Sequence, residues 1–151
     1  MLTTVPGVID ALLAALHGHP DLAGVTVMDG PPVRTLDYED VIIVGFRGMP
    51  GEPGVTADRA EADLGGRTDR ETYILWSMLS TTSGDTDLGP LRARAVALLG
   101  AFGAAVRADP TLGGTVARAR IGETTLEQVQ TQAGAEVNVE VGVAVDAWVR
   151  R

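Results

Sequence analysis

The side chains that could carry a proton, a charge or a metal ion are scattered along this sequence. Its two histidines, His17 and His19, stand two positions apart at the end of an apolar helical stripe. A zinc site needs further His, Asp or Glu ligands in fixed geometry, and none cluster with this pair. They read as solvated imidazoles at a helix C-terminus, where positive charge suits the dipole. Asp85-Thr86-Asp87 could hold a hard cation, but EF-hand spacing and its terminal glutamate are missing. Asp87 reads instead as a helix N-cap. Asp37, Glu39 and Asp40 could act as paired carboxylates in acid–base work, yet they flank a strand on a polar turn and read as solvated. Gly65-Gly66-Arg67 is a flexible turn. There is no Gly-rich phosphate loop followed by lysine and no nucleophile elbow. The expectation is a chain with no catalytic residues, no cofactor and no metal.

Composition narrows the field further. The 151 residues suit one domain spanning 1–151 with its own core. With 0 cysteines, disulfide scaffolds, thiolate zinc sites and cysteine nucleophiles are excluded. The formal charge of −8 disfavours sequence-specific nucleic-acid binding, because it repels a phosphate backbone. All 12 basic residues are arginine, which, with abundant Ala, Gly and Val, reads as GC-rich coding bias. No stretch approaches the ~20 apolar residues that cross a bilayer. Val5 to Leu16 is apolar but carries Asp10 and has no basic region before it, so it makes a poor signal peptide.

The elements can be read from periodicity. Val5, Ile9, Leu12 and Leu16, widened by Leu13, stripe a helix from about Thr4 to His17, with Thr4 as cap and Pro6 in the first turn. Val25 to Met28 is a short strand ended by Asp29-Gly30-Pro31-Pro32. Val41 to Phe46 is β-branched and suits a central strand buried on both faces. The polar stretch at about 47–68 reads as a long loop or exposed arm. A strand from Arg70 to Thr82 leads through Ser83–Asp87 into a second helix, Leu88 to Ala108. That helix buries Leu91, Ala95, Leu98, Phe102 and Ala105 and is stopped by Asp109-Pro110. A strand within Thr115 to Gln132, irregular around Gly122, is followed through Gly134 by the clearest signal. Val137, Val139, Val141, Val143, Val145, Ala147 and Val149 alternate with Glu136, Asn138, Glu140, Gly142, Ala144, Asp146 and Trp148, a period of two.

The order α-β-β-β-α-β-β predicts an α+β fold, with an antiparallel or mixed sheet of about five strands and both helices on one face. The other face and the edges then lack cover, and a second copy of the chain is the simplest one. Two tryptophans bear on this. Trp76 reads as core, whereas Trp148 falls on the polar face of the last strand, where it could anchor an interface.

Several stretches also carry a resemblance. They are the opening amphipathic helix, Gly24–Pro32, the strand Val41–Phe46, and Trp76-Ser77 with Ser83–Asp87 running into the helix of Arg92, Arg94 and Ala95. Asp109–Leu112 and Gln128-x-Gln130-Thr131 before the valine-alternating strand complete the set. Together they resemble the small tail terminator (tail completion) proteins of long-tailed bacteriophages, particularly those infecting actinobacteria, over nearly the whole chain. The resemblance implies a subunit of a hexameric ring that caps the tail tube, ends its polymerisation and docks the head connector. It implies a virion protein assembled in the host bacterial cytoplasm, with tube and connector proteins as partners and DNA passing nearby. Related neck proteins share a similar fold, so a head–tail connector is the neighbouring reading. Candidate intersubunit or bore residues are Glu136, Glu140, Trp148, Met49 and Arg67. The competing classes are a small-molecule binding module, which needs a closed apolar pocket, and a carboxylate enzyme, which needs a positioned acid–base pair.

Overall fold

The computed structural model describes residues 2–32, 39–49, 51–62, 65–132 and 134–150. Two helices and six strands follow the chain: α1 (Val5–His17), β1 (Thr26–Asp29), β2 (Asp40–Val44), β3 (Val55–Glu61), β4 (Thr68–Ser83), α2 (Leu88–Ala108), β5 (Arg118–Thr131) and β6 (Gly134–Arg150). A 3-10 turn at Pro20–Leu22 lies between α1 and β1. The sheet runs β1-β2-β4-β6-β5, with β3 also on β4; β1 and β2 are parallel and the remaining pairs antiparallel.

The alternating valines of β6 dictate this plan. A period of two sends Val137, Val139, Val141, Val143 and Val145 to one face, where all are buried. Facing them across the core, α2 buries Leu91, Ala95, Leu98, Phe102, Ala105 and Val106, and α1 buries Val8, Leu12 and Leu16. Both helices therefore cover the same side of the sheet. Val8 takes the central place expected for Val5 and Ile9, which are only partly buried. At 21 residues α2 is, by length and composition, apolar enough to cross a bilayer, which the sequence reading did not expect; its apolar face is buried inside the fold. Asp87 caps its start, accepting the Gly89 N–H at 3.1 Å. Asp109 closes its end, accepting the N–H groups of Thr111 (3.2 Å) and Gly113 (2.7 Å), and the Gly113 bond foremost holds its carboxyl below the usual range.

The stretch 47–68 departs from the expected loop. Val55–Glu61 is a sixth strand, pairing residue for residue with Leu75–Asp69 of β4. One side of β4 is thus shared: β2 takes Ser77–Thr81 and β3 takes Asp69–Leu75. Trp76 sits at the seam, donating its N–H to Gly54 and accepting the Gly45 N–H, both at 2.8 Å. The two strand ends crowd together there, so a Cβ on Gly54 would overlap the Gly45 carbonyl oxygen.

A polar anchor fixes α1 to the sheet. Glu71 is fully buried on the helix side of β4. Its Oε1 accepts the Thr4 N–H (2.8 Å) and the Thr4 hydroxyl (2.7 Å), while Oε2 pairs with Arg59 of β3 at 3.2 Å. The Thr4 hydroxyl also meets the Tyr73 hydroxyl at 2.9 Å. Thr4 therefore makes no side-chain cap to its own helix. Burial raises the Glu71 pKa, but the bonds from Thr4 and Thr3 and the Arg59 charge outweigh it and leave it below the usual value. Burial, with the Glu71 charge, pushes Tyr73 up to about 12.

Two predictions follow from these contacts. A depressed folded pKa means the Glu71 contribution is complete above the unfolded carboxyl value of about 4.3 and is lost as pH falls toward the folded one. Glu71→Gln should cost about 1–3 kcal/mol at neutral pH and flatten the loss of stability below about pH 4.3, read by urea unfolding across pH; parallel pH curves would refute this. Gly54→Ala should cost about 1–3 kcal/mol through overpacking. Gly100→Ala, on an exposed helix position with open space, should stabilise by about 0.5–1 kcal/mol. Equal signs for the two would overturn the account of the seam.

Candidate functional site

The sheet face turned away from the helices is the surface left to do something. β4 contributes Arg70, Thr72, Ile74, Trp76, Met78 and Ser80 to it, and β6 contributes the polar half of its alternation. Arg47 and Gly48, just after β2, lie over the middle of this face, so the face is not bare as the sequence suggested. Arg47 lays its guanidinium 3.8 Å from the centroid of the Trp76 ring. The same guanidinium reaches Glu140 at 3.3 Å and Glu52 at 3.6 Å. Trp76 is buried as expected, at 7% exposed, but beneath a loop arginine and not within the main core.

The five sequence candidates fall into two groups. Glu140 and Met49 border one small hollow with Arg47, Met78, Thr125, Glu127 and Asn138. Glu136 lies on the same strand four residues before Glu140 and accepts a bond from the Ser80 hydroxyl at 3.2 Å. Trp148 lies eight residues beyond Glu140, about 27 Å along the strand, and is 56% exposed. Arg67 precedes Thr68, whose partner is Arg150, so it belongs to the Trp148 end. Beside Trp148, Arg70 grips Asp146 through two bonds, 2.9 and 2.7 Å, and this holds the Asp146 carboxyl below its usual range.

The other candidate groups stay apart. His17 Nε2 lies 3.4 Å from the Val27 carbonyl, and His19 accepts the Asp21 N–H in capping the 3-10 turn. Glu39 and Asp40 both turn to Arg94, at 4.0 and 2.5 Å, so they are ion-pair partners. Asp37 lies outside the described residues. Among the described residues, no three His, Asp or Glu side chains gather as a metal would require. A hollow of about 480 Å³ beside Arg94 and Asp40 is open to solvent.

Two borders of the sheet carry no paired strand among the described residues: the outer side of β5 and the outer sides of β1 and β3. Most of β5 is exposed, and its register shifts between Ile121 and Thr124, as the glycine at 122 suggested. Such bulges and polar side chains blunt an edge against uncontrolled pairing.

No family model matches the chain, and no curated protein matches it. Among solved structures, a chain of the "Virion of native gene transfer agent (GTA) particle" superposes with a TM-score of 0.61 at 10% identity. The match covers 99% of this chain and 100% of that one. The likeness is one of fold. It spans nearly the full length of both chains rather than a shared fragment.

Sequence reasoning missed Arg47, because its partner Trp76 is 29 positions away and only the Gly45/Gly54 approach brings them together. Arg47→Ala should cost about 1–2 kcal/mol and raise acrylamide quenching of Trp76, measured with Trp148→Phe as background. Unchanged quenching would show that the loop does not shield the ring.

Proposed function

We propose that this chain is a structural subunit of a phage-like virion and, more finely, the subunit of a hexameric ring that caps the tail tube. In this role it ends tube polymerisation and joins the tail to the head connector. The single observation that carries the coarser reading is the end-to-end likeness of fold to a chain of a gene transfer agent virion. The resemblance of Gly24–Pro32, Ser83–Asp87 and Gln128–Thr131 to tail terminators supports the finer one. Free sheet borders and the exposed Trp148 and Met49 offer the surface that such a subunit presents to its neighbours.

This reading makes sister copies, the tube protein and the connector protein the partners, with the virion as the final location and the bacterial cytoplasm as the place of assembly. DNA passes the ring without specific contact, as suits an acidic chain. The role is assembly and needs no catalytic step. Glu136 and Glu140 lie on the open face; with Glu140 held by Arg47, Glu136 is the better candidate for a bore or seam.

Deleting the gene tests the proposal. Particles lacking the chain should show overlong, headless tails by electron microscopy, and the purified chain added back should restore tail length. Tails of normal length joined to heads would refute the role. Tails of normal length without heads would instead assign the chain to the neck as a connector.

A further inference from the structure

The chain gathers unpaired arginines at one end of the strand axis, where Glu71 and Asp146 are already paired with Arg59 and Arg70 and Asp109 closes α2. At the end where β4 begins and β6 finishes, Arg107, Arg118, Arg120 and Arg150 are all exposed. Among the described residues, none of these four guanidiniums has an ion-pair or side-chain hydrogen-bond partner, whereas Arg47, Arg59, Arg70 and Arg94 are each ion-paired. Arg107, in the last turn of α2, and Arg118 and Arg120, on β5, border one hollow of about 420 Å³. Trp148 stands on the neighbouring strand, two positions past the Arg118 partner Asp146. Three unpaired guanidiniums around a hollow, beside an exposed indole, form a receptor for carboxylates.

The opposite end is acidic. There the β4–α2 turn carries Asp85 and Asp87, β6 begins with Glu136, and β5 carries Glu127. Glu39 lies beside them, its carbonyl accepting the Thr82 N–H at 2.8 Å. The turn and β5 are tied, since the Gln130 amide donates to the Thr86 carbonyl at 2.6 Å. The cations nearby are already engaged: Arg92 with Gln128 and Arg94 with Asp40.

From the Thr72–Asp146 row to the Ser83–Ala135 row is eleven residues, about 37 Å of strand. That exceeds by several-fold the Debye length of about 8 Å at physiological salt, so the two ends do not neutralise one another within a chain.

We propose that the arginine end of one copy binds the acidic end of a second copy, with the carboxylates of Asp85, Glu127 and Glu136 meeting Arg107, Arg118 and Arg120. A contact between two different patches is heterologous, the type that builds a ring when the rotation between copies closes and a filament when it does not. This deepens the ring reading and rests on it. A second copy fits better than nucleic acid, because the net charge of −8 repels a polyanion as a whole while the two ends of the chain match.

The test uses charge reversal in the full chain, with light scattering at low salt as readout. Arg118→Glu with Arg120→Glu, or Glu127→Arg with Glu136→Arg, should each weaken self-association at least about tenfold, as like charges placed opposite each other do. Mixing the two variants one to one should restore it, because one then offers two acidic ends and the other two basic ones. These positions are exposed or half-buried, and circular dichroism with thermal unfolding checks that each variant folds. Wild-type oligomers indifferent to both reversals would overturn this contact and leave the ring reading standing. A wild type monomeric both in solution and on tail tubes would overturn both. Loss of duplex DNA binding without loss of self-association would assign the arginine end to nucleic acid and also overturn the proposal.

Discussion

The ladder between β4 and β6 is the constraint from which the other positions follow. Sixteen consecutive residues of β4 pair with β6 without a break. A side-chain period of two then fixes, over the whole length, which residues are dry and which are wet. A slip of one residue would send the β6 valines to the open face and Glu136, Asn138 and Glu140 into the core. Glu71 adds a polar check on the same register. It can be buried only where the Thr4 N–H and hydroxyl and Arg59 stand ready, because an unpaired buried carboxylate would cost several kcal/mol.

The two faces divide the work. The helix side holds the core and most of the stability, while the open side and the strand ends hold charge, exposed aromatic surface and the covered Trp76. In the proposed subunit, contacts made through margins and tips would leave that core intact. Among the surface carboxylates, Asp87 and Asp109 are drawn into capping, and Asp40, Glu140 and Asp146 into arginine pairs.

Much of this could be read from the residues. α2 begins after Asp87 and ends before Asp109-Pro110 as its caps specify, and the β6 alternation named both of its faces. β3 escaped notice because Val-Thr-Ala-Asp-Arg-Ala-Glu lacks an apolar alternation; an edge strand facing solvent needs none, and only its long partner β4 defines it. Glu71 left a faint trace, standing in phase with Tyr73 and Leu75 on the dry face. The same period that placed the valines would have flagged a carboxylate there as buried. The Arg47–Trp76 stack had no local trace at all. The split of Glu136, Glu140 and Met49 from Trp148 and Arg67 needed the register, which a linear reading does not supply.

The near-contact of Gly45 with Gly54 has one more consequence. A detour that leaves a strand and rejoins the sheet at the same spot is topologically a handle: its span is set by the sheet and not by its own length. Because closure entropy grows only with the logarithm of loop length, residues beyond Arg47 could be lengthened, shortened or exchanged between relatives while the strands kept their places. Variation of that kind would remodel the outer surface of the open face at little cost to folding.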